Sequence, residues 1–550
     1  MSALVPPRGE LESRIREIWS EILGRPVDDV TATFTDLGGN SIAAARITAR
    51  IRMRLRVDLD LSAILRHRSV RALAGSIETA QRPAAGISES PAEAELAPLP
   101  HRDGLPMSFY QEWRFRSDDG RSVPLYTIAL GYELRGELRT DALRDAISEL
   151  ARRHEPLRTN YGVVDDCPVQ VIHPPAPVDL RVLDVRGAAA DRSRAEALRL
   201  LQTEAACAVD RRHGAVFQPM LARFADDGYL LMLRLDRIAV DGTSCQLLEE
   251  ELTTLYACAV DGLDPPEMPA LQQADWAHWQ RRLLQADRLD RLVAYWRRTL
   301  DGTRPLLELR LPSGFPSPQV PSFRGRSEHR QLGLDLSREL RRRAREADVT
   351  LFMYVLAALN TFIGRLAGQP EVTVLCPYAN RTRPELERVV GCFSHGIVYR
   401  TDVSGDPRFG DLVTRIRDVC LGAWEHLELP ISEVARYVRP SSYLTLYDEF
   451  HVFFDVVRDV PILQLSNVEV TPTFVGTGAA HPSLAVLIDD GADDLVLVMR
   501  AAADRFDAEA LRWAVEEFIG LLAAAARKPS ERISALPPVL EAVRQHFGTS

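Results

Sequence analysis

The sequence changes its periodicity on either side of residues 81–100, and this change constrains the fold more than any single motif. Those residues, "QRPAAGISESPAEAELAPLP", are rich in Pro, Ala, Ser and Glu without helical or strand period, which is typical of a linker. Residues 1–80 show helical patterns, whereas strand and helix patterns alternate beyond residue 100. Because 550 residues exceed what one hydrophobic core organises, we expect a small helical domain followed by a larger α/β part.

The helical part begins with "LESRIREIWSEILG", residues 11–24, which stops at a glycine. Its apolar residues recur at helical spacing on one face: Leu11, Ile15, Ile18, Trp19 and Ile22. Two more helical segments follow after a loop, "SIAAARITARIRMRL" and "VRALAGSIETA". Together they predict a small helical bundle.

The α/β part alternates twice. Strand patterns such as "YTIALGYELRG" and "GYLLMLRLDR" are followed by helical patterns such as "SCQLLEEELTTLYACAV". A second round begins near residue 325 and closes with the helix "AEALRWAVEEFIGLLAAAA". The pattern predicts two α/β halves of similar size.

Charge and cysteine usage exclude several classes of protein. The net charge is −10 with both signs interspersed, which favours neither nucleic acid nor an anionic membrane as partner. The longest apolar run, "TLFMYVLAALNTFIG", is too short to span a bilayer. The start "MSALVPPRGELES" lacks the pattern of a signal peptide. Seven scattered cysteines without a Cys-x-x-Cys pair predict that the chain has neither disulfides nor a metal site. The same pattern predicts a cytoplasmic location.

One serine stands at a helix start. Ser41 in "DLGGNSIAAARI" follows two glycines, which permit a tight turn. A helix N-terminus offers free backbone N–H groups and a partial positive charge, so it suits a phosphodiester. An ordinary N-cap serine is the other interpretation of the same spacing.

The wider stretch resembles a known domain. "LESRIREIWSEILG", "VTATFTDLGGNSIAAARITARIRMRL" and "LSAILRHRSVRALAGSI" are similar to the four-helix peptidyl carrier (thiolation) domain of nonribosomal peptide synthetases, over some 70 residues. The resemblance implies that Ser41 carries 4′-phosphopantetheine, attached by a phosphopantetheinyl transferase, and holds an aminoacyl or peptidyl thioester.

Residues 101–550 resemble the condensation domain of the same assembly lines. The motifs "MSFYQEWRF", "RHEPLRTNY", "YANRTRPELERVVGCFSHGIVYR", "HLELPISEV" and "FHVFFDV" stand in the family's order. The resemblance implies two chloramphenicol-acetyltransferase-like halves in a V, with a tunnel between them that admits one carrier arm from each side. We expect the N-terminal lobe at 101–276 and the C-terminal lobe at 277–550.

The sequence departs from this family at the end of the strand "GYLLMLRLDR". The family has His-His-x-x-x-Asp-Gly there, with the second histidine facing the reaction point. Here the motif begins with Asp236 and Arg237 and ends with Asp241 and Gly242. Both histidines are therefore replaced, which puts the family's catalysis in doubt.

The two replacements have different expected roles. Strand alternation places Asp236 and Arg237 on opposite faces, and the resemblance turns Arg237 toward the tunnel. Arg237 cannot act as a general base because its pKa stays above ~12. It either holds an oxyanion or carboxylate, or pairs with Asp241 and closes the tunnel. Asp236 faces away, where we expect it to pair with Arg234.

The resemblance gives Asp241 a structural role through an ion pair with an arginine, and Arg158 and Arg381 stand at matching motif positions. His395 replaces the family's asparagine in "GCFSHG" and is either a relocated base or a structural histidine. Cys245 has no adjacent base and is interpreted as a core residue. His154 and His426 match family motif positions and are expected to be packing residues.

Two functions remain open at the level of sequence. In the first, Ser41 presents a donor acyl group for amide-bond formation with an amine on a downstream acceptor carrier, after loading by a trans-acting adenylation domain. In the second, the domain is catalytically silent and recruits trans-acting enzymes to the carrier-bound intermediate. Epimerisation is disfavoured, since it relies on the same histidine motif.

Overall fold

The computed structural model describes residues 4–57, 59–80, 96–100, 104–117, 126–187, 190–303, 309, 322–438, 452–457, 463–479 and 484–537. Most of the expected linker, residues 81–95, lies outside the described residues. The remaining chain forms a helical domain, which ends at residue 80, and two α/β lobes.

The helical domain consists of α1 (Glu10–Leu23), α2 (Ser41–Leu55), α3 (Leu61–His67) and α4 (Val70–Ala80). Its core contains the apolar face predicted for the first helix, with Ile15, Ile18 and Trp19 at most 1% exposed. Trp19 packs edge-to-face on Phe34, at 5.4 Å between ring centroids. Gly24 ends α1 in the left-handed conformation, as its position predicted.

The first lobe begins with a small sheet and is built around a five-stranded one. Its elements are β1 (Leu105–Pro106), α5 (Phe109–Arg116), β2 (Thr127–Gly136), α6 (Thr140–Arg153), β3 (Thr159–Val164), β4 (Cys167–Ile172), β5 (Arg181–Asp184), α7 (Ala190–Ala205), β6 (Phe217–Arg223), β7 (Gly228–Asp236) and α8 (Gly242–Asp261). Strand β7 is buried along its whole length, because helices α6 and α8 cover one face of the sheet and α7 the other.

The second lobe is built around a six-stranded sheet. The elements that complete the described chain are α9 (Gln273–Leu283), α10 (Ala286–Leu300), β8 (Gly325–Gln331), α11 (Leu334–Glu346), α12 (Leu351–Ala367), β9 (Glu371–Tyr378), β10 (His395–Asp402), α13 (Phe409–Trp424), α14 (Ile431–Val438), β11 (Val452–Val457), β12 (Val468–Pro472), β13 (Leu484–Asp489), β14 (Val496–Ala502) and α15 (Ala508–Arg527). The order of the strands in the sheet is β10-β9-β11-β13-β14-β8. Helix α12 is almost entirely buried, in line with the buried helix expected from its apolar run.

One strand that follows the second lobe's β11 in sequence joins the sheet of the first lobe. β12 follows β11 in sequence, yet it pairs antiparallel with β2 at the edge of the first lobe's sheet. The division of the lobes at 276/277 falls inside α9. Sequence order therefore assigns residues 468–472 to the second lobe, whereas hydrogen bonding places them in the first.

Within the described residues, no single helix is long and apolar enough to cross a bilayer, and the one helix pair that passes together, α11 with α12, is bent by 103°. All seven cysteines are free thiols, as their spacing predicted. No cluster of three or more His, Cys, Asp or Glu suited to a metal ion occurs in the described ranges.

Candidate functional site

The turn ahead of α2 is tightly packed. A Cβ added to Gly39 would lie 2.4 Å from the Phe34 ring, so the turn tolerates only glycine there. Asn40 caps the helix, since its side chain accepts a hydrogen bond from the Ala43 N–H at 2.8 Å. Helix α2 then begins at Ser41. The N-cap interpretation of Ser41 is therefore wrong, and the helix N-terminus itself suits a phosphate group.

Asp236 ends β7 in a buried ion pair. Its Oδ2 lies 3.0 Å from Nε of Arg211, and both side chains are more than nine-tenths buried. Its Oδ1 accepts a hydrogen bond from the Ile238 N–H at 2.9 Å. The expected pairing with Arg234 is wrong, because Arg234 donates to the Gln218 side chain and to the Cys207 carbonyl. Asp236 is thus held in place and faces away from solvent.

Asp241 is the N-cap of α8 and lies at the junction of the two lobes. Its Oδ1 accepts from the Ser244 N–H at 2.8 Å and from Arg381 Nη2 at 3.2 Å. Its Oδ2 accepts from the N–H groups of Phe393 and Ser394 at 3.1 and 3.2 Å. Four donors therefore satisfy a carboxylate that is only 1% exposed. Gly242, which follows it, begins the helix.

Arg381 is the arginine that pairs with Asp241. It also donates to the carbonyls of Leu386 and Val389 and to Ser244 Oγ. These bonds fasten the segment 380–394, which we call the clamp loop, onto the start of α8. Arg158, the other arginine considered, lies elsewhere and donates to the His173 carbonyl.

Arg237 occupies a different environment from its neighbours. It is the one exposed residue between Leu231 and Asp241. Its backbone N–H donates to the Tyr126 carbonyl at 2.9 Å. No ion pair of its side chain with Asp241 occurs among the described residues, because Asp241 is occupied by Arg381.

Asp455 of β11 is a further candidate residue that the sequence analysis did not single out. Burial raises the pKa of its carboxyl to about 7, while the positive charge of Arg237 acts in the opposite direction. The charge of Arg237 in the first lobe therefore acts on a carboxyl of the second lobe, 218 positions later in the sequence. The one sequence signal is an aspartate inside the apolar run "FHVFFDVV".

His395 lies on the opposite face of the second lobe's sheet from Asp455. It pairs in register with Tyr378 on β9, whereas Asp455 shares the face of Leu375. Its Nδ1–H donates to the Gly396 carbonyl at 3.0 Å, and burial lowers the pKa of its imidazole to about 4. The histidine is held in the lobe interior, away from Arg237.

The remaining candidates are packing residues. Burial raises the pKa of the Cys245 thiol to about 12, so the thiol stays protonated. His154 bonds to Glu251, and His426 stacks on Tyr295 with 3.7 Å between ring centroids.

Comparison with known proteins identifies the families to which the two domains belong. The Condensation domain family matches residues 102–546, and the Phosphopantetheine attachment site family matches residues 13–77. The chain belongs to the condensation-domain family. It carries a phosphopantetheine carrier domain ahead of the condensation domain, the layout found in nonribosomal peptide synthetases.

Relatives of the chain are long synthetases, of which it spans only a small part. It is 30% identical over 484 residues to malpinin synthetase of Mortierella alpina, a match that covers 87% of this chain but 6% of that protein. With tyrocidine synthase 3 of Brevibacillus parabrevis it shares 26% identity over 551 residues, which covers 99% of this chain and 8% of that protein.

Solved structures of condensation-type domains share the fold. The crystal structure of the X-domain from teicoplanin biosynthesis matches with a TM-score of 0.71, at 24% identity, over 80% of this chain and 99% of that one. The first condensation domain of the CDA synthetase matches with a TM-score of 0.64, at 18% identity, over 80% and 100%. The two-lobed fold expected from the sequence is confirmed.

The carrier domain contacts the second lobe of the condensation domain through charged side chains. On the lobe, three carboxylates take part: Asp348, Glu387 and Glu425. On the carrier, their partners are arginines: Arg68 Nε lies 2.6 Å from Asp348, Arg50 Nη2 lies 3.4 Å from Glu387, and Arg66 bonds to Glu425. Opposite charges therefore contribute to the contact between the two domains, beside the apolar core that they share.

One of these contacts belongs to the clamp loop. Glu387, the partner of Arg50 and Arg46 on α2, lies between Leu386 and Val389, whose carbonyls bind Arg381. Arg381 in turn holds Asp241. Helix α2, which begins at Ser41, thus contacts the clamp loop, and the clamp loop binds Asp241.

The phosphopantetheine attachment site belongs to the carrier domain. The structure fits such a group, since the Gly39 turn leads directly into a helix N-terminus. The carrier domain implies a phosphopantetheinyl transferase as a partner.

Proposed function

We propose that this carrier–condensation didomain forms amide bonds. An acyl group held as a thioester at Ser41 is passed to an amine on an acceptor carrier, and Arg237 stands at the reaction point. The observation that supports this is the state of Arg237, which is exposed and does not pair with Asp241. An arginine that served to plug the tunnel would have needed that carboxylate, but Arg381 occupies it.

The loss of the histidine base does not remove the main source of rate. General base catalysis contributes ~10²–10⁴ in rate, whereas holding two reactants together reaches an effective molarity of about 10⁵ M or more. Arg237 adds hydrogen-bond donors where negative charge develops on the carbonyl oxygen, a contribution typically worth ~10²–10³. In this proposal, the rate comes from holding the thioester and the amine together and from the hydrogen bonds that Arg237 donates to the carbonyl oxygen.

The test follows acyl transfer by intact-protein mass spectrometry. Ser41 is loaded with phosphopantetheine and an aminoacyl group, and a charged acceptor carrier is added. We expect the donor mass to move to the acceptor, with the rate kept in Arg237→His and reduced at least ~100-fold in Arg237→Ala. Ser41→Ala, which blocks loading, gives the background. Equal rates in the native protein and Arg237→Ala would contradict the role given to the arginine.

A second function is favoured by the arginine that stands at position 237 in place of the family's histidine. An arginine cannot accept the proton that the family's histidine accepts, and His154, His395 and His426 are engaged elsewhere. The X-domain from teicoplanin biosynthesis has been solved in complex with OxyB. This chain matches the X-domain of that complex with a TM-score of 0.72 at 23% identity. In this alternative the condensation domain presents the carrier-bound intermediate to a trans-acting enzyme.

The transfer assay separates the two functions. A native protein that transfers nothing, together with a variant Asp236→His/Arg237→His that does transfer, would support the platform. Asp236 has a buried partner in Arg211, so Arg237→His alone is included to avoid breaking that pair. Loading in trans and the identity of the acceptor remain predictions.

A further inference from the structure

We propose that Asp455 is the proton acceptor of the acyl transfer, across the cleft from Arg237. This inference rests on the proposed function. It assigns to a carboxylate of the second lobe the role that the family gives to a histidine of the first. The two carboxylates of the motif at 236–242 are not available as bases, because Asp236 and Asp241 are both bound by buried arginines.

Sheet geometry determines which way Asp455 points. Phe454, its neighbour on β11, is fully buried and packs on Phe352 of α12, at 5.1 Å between ring centroids. Successive side chains of a strand point to opposite faces, so Phe453 and Asp455 lie on the face that α12 does not cover. Both are only partly buried. Asp455 therefore projects from the face of the second lobe's sheet opposite α12.

Neighbours on that face are apolar. In register, Asp455 lies beside Leu487 of β13, with Ala485 two positions away beside Phe453. An isolated carboxylate among apolar groups favours its protonated form. The charge that acts from elsewhere is that of Arg237, and the Val456 N–H, like Arg237, favours the carboxylate form. Asp489, further along β13, lies beside Val457.

Arg237 and Asp455 form a complementary pair of one donor and one acceptor. Arg237 projects from the end of β7 in the first lobe, and its charge reaches Asp455 in the second. The two side chains belong to different lobes. A reacting carbonyl placed between them would have its oxygen toward the guanidinium and the attacking amine toward the carboxylate.

The proposed step balances in atoms and charge. The neutral amine nitrogen attacks the thioester carbonyl carbon and forms the C–N bond, while its proton passes to the Asp455 carboxylate. The C–S bond then breaks, and the departing sulfur takes the proton from the Asp455 carboxyl. An amide and a free thiol result, and Asp455 returns to its anionic form. No oxidant, metal or further reactant is needed.

The first test uses the unmodified protein and no substrate. Infrared difference spectroscopy follows the C=O band of a protonated carboxyl as the pH is raised from about 5 to about 9, on either side of the raised pKa of Asp455. We expect a component of this band that disappears near pH 7 in the native protein and is lost in Asp455→Asn. The component of Glu433, whose pKa burial also raises to about 7, should remain in Asp455→Asn and be lost in Glu433→Gln. In Arg237→Ala the midpoint should move upward, because a positive charge that favours the carboxylate has been removed. A midpoint unchanged in Arg237→Ala would overturn the pairing.

The second test compares transfer rates in the loaded protein. We expect Asp455→Asn to slow transfer at least ~100-fold, and Asp455→Glu to retain a larger share of the native rate. The control is Asp489→Asn, which removes a carboxylate on the same face of the neighbouring strand and should leave the rate unchanged. The native rate should fall below about pH 7, and this acidic limb should vanish in Asp455→Asn.

The outcomes separate this inference from the proposed function. A native protein that transfers, with Asp455→Asn at the same rate, overturns the role of Asp455 and leaves amide formation intact. A native protein that transfers nothing overturns both. A slow Asp455→Asn that keeps the native pH profile identifies a structural effect and also refutes the proton transfer.

Discussion

The ion pair between Arg381 and Asp241 fastens the clamp loop to the first lobe, and removing it should loosen that loop in particular. Arg381→Met keeps much of the length of the side chain but deletes its donors. The native Arg381 makes bonds to two carbonyls, to Asp241 and to Ser244. The substitution therefore leaves a buried carboxylate without its cation.

The magnitude follows from what remains bound to Asp241. Breaking a buried ion pair by removing one partner costs about 3–5 kcal/mol. Asp241 keeps three backbone N–H donors, from Ser244, Phe393 and Ser394, so the lower end of about 3 kcal/mol applies. Since every ~1.4 kcal/mol is tenfold, the opened form of the loop should become about 100-fold more populated.

Native-state hydrogen exchange measures this population directly. Three amides report on the clamp: Gly391 donates to Ser244 Oγ, and Phe393 and Ser394 donate to Asp241. In Arg381→Met they should exchange about 100-fold faster, while amides in α1 of the carrier domain should not change.

Arg158→Met is the matched control. Arg158 bears the same charge, but it binds the His173 carbonyl and lies 3.6 Å from Glu155. A partly exposed pair of this kind contributes about 0–1 kcal/mol, so the clamp amides should keep their native rates. Equal acceleration in both variants, or none in Arg381→Met, would refute the reasoning.

Two further predictions concern pH and domain contact. Burial raises the pKa of the Glu433 carboxyl to about 7. The folded state therefore binds this proton more tightly than the unfolded state does. The free energy of unfolding should then fall as the pH rises from about 4.5 to about 7. In Glu433→Gln this loss should shrink by about 1–3 kcal/mol, measured by urea unfolding at about pH 5 and pH 8; identical profiles would contradict it. Glu425→Arg should weaken carrier contact by about 1 kcal/mol, seen as reduced energy transfer between dyes on the two domains, and Arg66→Glu in the same chain should restore it.

Local sequence patterns predicted much of this protein. The helical period placed Ile15, Ile18 and Trp19 in one core, and the "LGGNS" turn marked the start of α2 near Ser41. Strand alternation separated Asp236, which is buried, from Arg237, which is exposed. These features depend on residues within a few positions of each other, so the sequence alone carries the information.

Ion-pair partners were decided by tertiary structure. Arg234 is two positions from Asp236, but Arg211 pairs with it, because the chain before β6 folds back beside the end of β7. Arg158 and Arg381 were equivalent by motif, yet only the clamp loop brings its arginine to Asp241.

The candidate site divides in the same way. Sequence by itself determined that a carrier-type helix start precedes a two-lobed α/β domain and that an arginine replaces the expected base. Only the packing of the two lobes lets the charge of Arg237 act on Asp455, and only sheet pairing places β12 in the first lobe. The physical reason is that a charge buried at a lobe junction is satisfied by whichever group the register and the packing bring within a few ångströms, and sequence distance does not enter that choice.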